Sequence, residues 1–151
     1  MFKIDSIDRK ILEVLQKNCR TPYSEIAKKL GIAESTVRYR VSRLRREGVI
    51  TSFIALLDPR KIGLKITAIV LMKLDAQYIG ESSKELVTFK ELHHLFQSTG
   101  EYDLVSVVHA RDMLHLNQLM RRIKLLPGVR EASAFVATEL IKIEPRFDLR
   151  I

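Results

Sequence analysis

With 151 residues and a formal net charge of +8, the chain has room for one ordinary domain or two small ones and enough apolar content for a core. Its single cysteine, Cys19, excludes an intrachain disulfide. The longest apolar run, Ile66 to Met72, is interrupted by Thr67 and is far too short to cross a bilayer as a helix. The charge is uneven. Residues 1–60 hold 13 Lys/Arg against 7 Asp/Glu, whereas residues 61–151 hold 13 against 11, so a polyanionic partner is expected for the N-terminal part. The N-terminal stretch MFKIDSIDRK is charged and helix-like rather than signal-like. With the lone thiol, this gives the expectation of a cytoplasmic protein with no membrane partner.

In chain order, Asp5 is placed to cap a first helix running to about Asn18, with Ile7, Ile11, Leu12 and Leu15 on its core side. Thr21 and Pro22 read as N-cap and first position of a second helix ending at Leu30. Ile26, Ala27 and Leu30 mark its buried face, and Gly31 supplies a left-handed terminator. A third helix begins near Ala33, with Val37, Val41 and Leu44 as its buried stripe. Opposite that stripe lie Ser35, Tyr39, Ser42 and Arg46, flanked by Thr36, Arg38 and Arg43. Five arginines on this helix are met by only Glu34 and Glu47. A helix-turn-helix whose second helix turns hydroxyls and guanidinia outward suits a DNA major groove. Such residues donate to and accept from bases and phosphates. The competing reading of a basic helix, a merely solvated face, fits this mixture less well.

Gly48 ends the third helix. VITSFIALLDP then reads as a strand, serving as wing and linker, and residues 60–63 as a hinge. The remainder alternates as strand 65–74, helix 80–90, strands 92–98 and 102–110, helix 112–125 and strand 129–143. This βαββαβ order is that of ferredoxin-like domains, with helices on one face of an antiparallel sheet. Phe96, Leu104 and Ser106 are expected on the free face, buried against a second copy. The fold class is therefore α+β. Its expected parts are a winged helix-turn-helix over 1–50, a linker strand and hinge over 51–63, and a ferredoxin-like domain over 64–151.

Four histidines, His93, His94, His109 and His115, show no metal-ligand spacing. Adjacent residues on a regular strand point to opposite faces, so His93 and His94 are not expected to share a surface. No phosphate-cradling glycine loop, nucleophile elbow or paired-cysteine site is found, and no catalytic or metal residue and no cofactor is expected.

The combination resembles the Lrp/AsnC, or feast/famine, group of transcription regulators. The resemblance is carried by Asp8 with Ile11-Leu12, Arg20-Thr21-Pro22 with Glu25-Ile26-Ala27, Leu30-Gly31, and Ser35-Thr36-Val37-Arg38. It continues through Arg40-Val41, Leu44, Glu47-Gly48-Val49-Ile50, Asp58-Pro59 with Gly63, Thr99 to Asp103, and Leu126 to Val129. It implies an N-terminal DNA-binding domain and a C-terminal effector and assembly domain. It also implies dimers that associate into octamers, and an amino acid or similar metabolite bound between dimers. By the same resemblance Ser35, Thr36, Arg38 and Tyr39 match the base-reading start of the recognition helix. Arg40, Arg43 and Arg46 match its phosphate-directed part, although the helical wheel turns Arg40 partly inward.

Thr99, Gly100, Glu101, Tyr102 and Asp103 match the family's effector loop, where Asp103 is suited to an ammonium and Thr99 to a carboxylate. The same five residues also read as a tight turn whose aspartate supports the backbone. Two departures are visible. Ala33 stands where the family commonly has a capping Ser, which is worth about 1 kcal/mol in a typical cap exchange. FKEL (89–92) lacks the usual Pro, so a longer connecting helix is expected.

The expected function is sequence-specific binding of double-stranded DNA under control of an amino-acid-like effector. A sirohaem-decarboxylase-like enzyme on the same architecture and an architectural DNA compactor are the alternatives.

Overall fold

A computed structural model describes residues 3–150. The chain divides into two compact units, Met1–Leu56 with Lys142–Ile151, and Leu57–Ile141. The C-terminal tail thus groups with the helical unit rather than with the sheet, against the expectation of a single domain over 64–151.

The first unit holds α1 (Ser6–Lys17), α2 (Tyr23–Leu30) and α3 (Glu34–Arg46). Asp5 starts α1 through a reciprocal capping box: its carboxylate accepts from the Asp8 N–H at 2.8 Å, and the Asp8 carboxylate accepts from the Asp5 N–H at 3.2 Å. Ile11, Leu15, Ile26, Ala27, Val37 and Val41 form the core of this unit. Gly31 ends α2 at φ +66°, a conformation that a β-carbon disfavours. Thr21 does not cap α2. Pro22 holds the cap position, and the Thr21 hydroxyl turns back to donate to the Asn18 carbonyl at 2.8 Å. Ala33 caps α3 with no side-chain hydrogen bond, as its chemistry requires. At the other end of this unit the Gln16 amide brackets the backbone of Phe147, donating to its carbonyl at 3.2 Å and accepting from its N–H at 2.7 Å. That pair explains why the tail joins the helices.

The linker strand expected over 49–57 is not a strand. Residues 51–58 are irregular and have no ladder partner among the described residues. A β-rich composition cannot make a strand without a neighbour for its N–H and C=O groups. Phe53, Ile54, Leu56 and Leu57 are left exposed.

The second unit contains β1 (Ile66–Leu74), α4 (Ile79–Leu86), β2 (Leu92–Gln97), β3 (Leu104–Ala110), α5 (Met113–Lys124) and β4 (Val129–Val136). The sheet order is β2-β3-β1-β4 and every pair is antiparallel, the βαββαβ arrangement expected. α4 is shorter than expected, ending at Leu86, and β4 ends at Val136 rather than 143. Beyond β4 the Ala137 N–H still reaches the Thr67 carbonyl at 2.8 Å, but β1 begins at Ile66 and offers no further backbone to pair with.

Strict alternation along β1 and β3 puts Ala68, Val70, Met72, Leu104, Ser106 and Val108 into the core with Leu86, Leu116, Leu119 and Ile123 of the helices. Leu104 and Ser106 therefore face the helices, not a partner as expected. The buried Ser106 hydroxyl is satisfied by the His94 carbonyl at 2.7 Å. The face without helices instead carries Ile69, Val105, Val107, Phe96 and Phe135, of which Ile69, Phe96 and Phe135 are exposed. The expectation had the alternation right but its phase wrong on β3, a one-residue error that exchanges the two faces. Among the described residues no helix is long and apolar enough to cross a membrane.

Candidate nucleic-acid interface and effector loop

Helix α3 sorts its five arginines into two groups. Arg40 and Arg43 turn toward α1. Arg40 Nη1 lies 2.6 Å from Asp5 Oδ2 and 3.0 Å from Asp8 Oδ1, and Arg43 Nη2 lies 2.6 Å from Asp8 Oδ2. The Asp8 side chain is fully buried, with 0% of its surface exposed. A buried carboxylate is tolerated only where charge and hydrogen bonds compensate for lost water. Two guanidinia and the Asp5 N–H do so here. The hydrogen bond from Arg40 is the main reason the Asp5 carboxyl is held at about 2, below its ordinary 3.8. The same contact raises Arg40 above its usual value. Arg40 and Arg43, expected on phosphates, rest on the carboxylates of Asp5 and Asp8. On the wheel they sit about 60° and 120° from the buried stripe, on the side that meets α1.

Arg38, Arg45 and Arg46 remain outward, with Ser35, Tyr39 and Ser42 exposed beside them and Thr36 half-buried. Arg38 Nη2 rests on Glu34 Oε1 at 2.8 Å, and its guanidinium carbon lies 5.4 Å from the Tyr23 ring centroid. The pair is exposed at both ends, 66% and 46%. An exposed ion pair contributes at most about 1 kcal/mol, so Arg38 is held in place without being trapped. Arg46 Nε contacts Glu47 Oε1 at 3.2 Å. Arg45 lies over Phe53 at 5.9 Å. These side chains surround a concavity of about 510 Å³ lined by Tyr23, Arg38, Ser42, Arg45, Arg46 and Thr51, with Val41 and Ile50. Its polar lining suits a phosphate path beside a helix that enters a groove. Tyr23, Arg45 and Thr51 were not among the expected contact residues. Arg45, about 80° from the stripe on the side away from Arg40, was legible on the same wheel; Tyr23 and Thr51 come from other segments and leave no local signal.

The loop from Thr99 to Asp103 is exposed at Thr99, Gly100 and Glu101 and half-buried at Tyr102 and Asp103. Gly100 has φ +122°, which a side chain would strain. Asp103 Oδ2 accepts from the Leu74 N–H at 2.7 Å, and the Asp103 N–H donates to the Met72 carbonyl at 2.9 Å. Its carboxylate therefore supports the backbone, the second of the two readings of this turn. Lys73 sits beside the loop, with Nζ 2.6 Å from Glu101 Oε1, 3.4 Å from Glu131 Oε2 and 5.0 Å from the Tyr102 ring centroid. The hydrogen bond that Lys73 donates to Glu101 raises the Lys73 ammonium above its ordinary value. Glu131 also lines a concavity of about 350 Å³ with Lys124, Arg130 and Ser133. The ammonium and carboxylates at this end are a chemistry matched to a zwitterion.

Two family models match the chain. Residues 4–51 match the model of a winged helix-turn-helix DNA-binding domain. Residues 67–147 match that of the Lrp/AsnC ligand-binding domain. The HTH-type transcriptional regulator FL11 of Pyrococcus furiosus is 34% identical over 139 residues, covering 92% of each chain. The HTH-type transcriptional regulator Ptr1 of Methanocaldococcus jannaschii is 38% identical over 126 residues, covering 83% of this chain and 84% of its own. Among solved structures, Escherichia coli AsnC superposes with a TM-score of 0.89 at 25% identity, covering 95% of this chain and 97% of that one. A Neisseria meningitidis transcriptional regulator in complex with L-Met has a TM-score of 0.85 at 23% identity over 98% of both chains, a likeness of fold. The relatives are named as regulators, and an enzyme on this architecture is not favoured.

Proposed function

This chain belongs to the Lrp/AsnC family of transcription regulators, and we propose that it reads its operator through Ser35, Thr36, Arg38, Tyr39 and Arg46. In this reading Arg45 joins them as a phosphate contact, and Arg40 and Arg43 act indirectly by fixing α3 on α1. The observation that carries it is the sorting of arginines on one helix: two bind a buried carboxylate, and three surround an open polar concavity. The test is a footprint on the protein's own promoter with a salt titration. Binding should weaken steeply with salt, by a slope of about 0.9 per phosphate neutralised. A specific complex with a flat salt dependence would overturn the electrostatic part.

The regulator responds to a small molecule through its C-terminal domain. An amino acid held beside Thr99 to Asp103 is the reading best supported, because Lys73, Glu101 and Glu131 offer both signs of charge there. The carboxylate of Asp103, which already accepts from Leu74, holds the loop's shape rather than grasping the ammonium. A Neisseria meningitidis regulator of the same fold is solved in complex with L-Met, which supports an amino acid as the ligand class. No other cofactor enters this reading. A panel of amino acids in a thermal-shift assay tests it, and a ligand whose stabilisation is unchanged in Glu101→Gln and Lys73→Met would sink the assignment.

The second copy needed to present two recognition helices covers the free sheet face of Ile69, Phe96, Val105, Val107 and Phe135. Exposed apolar rows on an otherwise packed sheet favour burial against a partner. Dimers further assemble to octamers, and the protein works in the cytoplasm, where its DNA is. Light scattering of Phe96→Lys beside the unaltered protein tests the face: the variant should be monomeric.

A further inference from the structure

The histidines of the sheet do not lie as a regular strand would place them. The pairing of β2 with β3 shifts between Leu92, opposite Val108, and His94, opposite Val107, so His93 has no partner of its own. This is a β-bulge, which inserts one residue and re-aims side chains. In consequence His93 meets His109 of β3, with ring centroids 4.6 Å apart and planes at 71°. The expectation that neighbouring histidines cannot share a surface holds for an ideal pleat and fails at the bulge. His109 is opposite Thr67 of β1, whose Oγ1 lies 2.9 Å from His109 Nδ1.

We propose that His93 and His109 form a binding site for a divalent transition ion of the Zn²⁺, Ni²⁺ and Cu²⁺ class, with Thr67 as its orienting residue. Two imidazoles on one ion, each at about 2.0–2.1 Å, place their ring centroids about 4.5 Å apart when at right angles and about 5.2 Å apart when tetrahedral. The observed 4.6 Å falls at the right-angled end. A ligating histidine characteristically engages its second ring nitrogen with a fixed acceptor, which sets the tautomer and the ring orientation. Thr67 Oγ1 stands at Nδ1, and in the proposed site it accepts the Nδ1–H, which leaves Nε2 as the ligating atom. The donor set of imidazoles selects against Mg²⁺ and Ca²⁺, which require oxygen ligands.

Among the described residues no three His, Cys, Asp or Glu converge to hold an ion. The site is thus an open, two-ligand one whose remaining positions take water or a group from a second copy. It lies in the second unit, on β1, β2 and β3, with Thr67 and His109 on the same sheet face as Ile69 and Val107, and nothing in the regulator reading requires it.

The test is calorimetric titration of tag-free protein with NiCl₂ at neutral pH, together with electron paramagnetic resonance of the Cu²⁺-loaded protein. Saturable Ni²⁺ binding and nitrogen hyperfine structure on Cu²⁺ are expected. His93→Ala and His109→Ala should each weaken Ni²⁺ at least tenfold. Thr67→Val, an isosteric change on the sheet, should weaken it roughly ten- to hundredfold while circular dichroism and DNA affinity stay unchanged. His115→Gln on α5 should leave the ion affinity as it was. A ratio of one ion per chain supports the site with water in the open positions; one ion per two chains, if lost in His93→Ala, supports it with the second copy supplying them. The proposal is overturned by absence of saturable binding, by binding that survives both His93→Ala and His109→Ala, or by binding that depends on His115.

Discussion

Arg40 and Arg46 stand on one helix, six residues apart, and do opposite things. Arg40 reaches a carboxylate pair on α1 with only 18% of its side chain exposed, whereas Arg46 is 67% exposed. The difference teaches that net charge on a recognition helix overstates the charge it presents to DNA. Two of five guanidinia on α3 neutralise Asp5 and Asp8, so the electrostatic footprint is smaller than composition implies. In return the helix is held at a defined angle, which is what base reading demands.

The comparison breaks hardest at Asp8. Asp8→Ala removes a buried carboxylate, leaves Arg40 and Arg43 without their shared partner and deletes half the capping box. Loss of about 3–5 kcal/mol is expected in chemical denaturation of the helical unit, and a loss below about 1 kcal/mol would show the network to be dispensable. The outward group gives the next effect. Arg38→Ala should cost about 1–3 kcal/mol in specific binding and relax the sequence preference at one position, with the denaturation midpoint unchanged. Arg40→Met should do the reverse, lowering stability while leaving the salt slope of DNA binding where it was. Ala33→Ser supplies the missing cap and should stabilise α3 by about 1 kcal/mol or less; it sharpens the comparison by changing the helix start without touching either arginine group.

The smallest effect is the acid limb. The Asp5 pKa is depressed in the folded state to about 2 from 3.8. Its contribution is therefore fully present above the unfolded value and fades as pH falls from about 4 through 2. Asp5→Asn should flatten that part of the stability profile. An unaltered slope in the variant would assign the acid sensitivity to other carboxylates.

The helix-turn-helix and the βαββαβ order were legible because both rest on local periodicity, three-to-four for Val37, Val41 and Leu44 and two for the β1 stripe. Asp5 as a cap was legible for the same reason. The face carrying Leu104 and Ser106 was not, because on a run such as LVSVVHA both alternating sets are apolar and only packing chooses between them. The strand over 49–57 failed for want of a neighbour. At the site, Ser35, Tyr39 and Arg46 fell outward as the wheel requires. The roles of Arg43 and Tyr23 depended on residues 35 and 15 positions away in sequence, beyond the reach of a wheel.

By itself, then, the sequence determined which segments are helices and strands, which stripe of each is apolar, and that a basic helix follows Gly31. It also carried the residues that join the chain to the Lrp/AsnC family. Only the tertiary structure decided which charges are used inside and which are presented, that Asp103 braces the backbone, and that a bulge in β2 brings His93 against His109. The physical reason is one of range. Periodicity and capping act within a few residues along the chain, whereas charge pairing, sheet phase and strand register are settled by partners that only folding brings near.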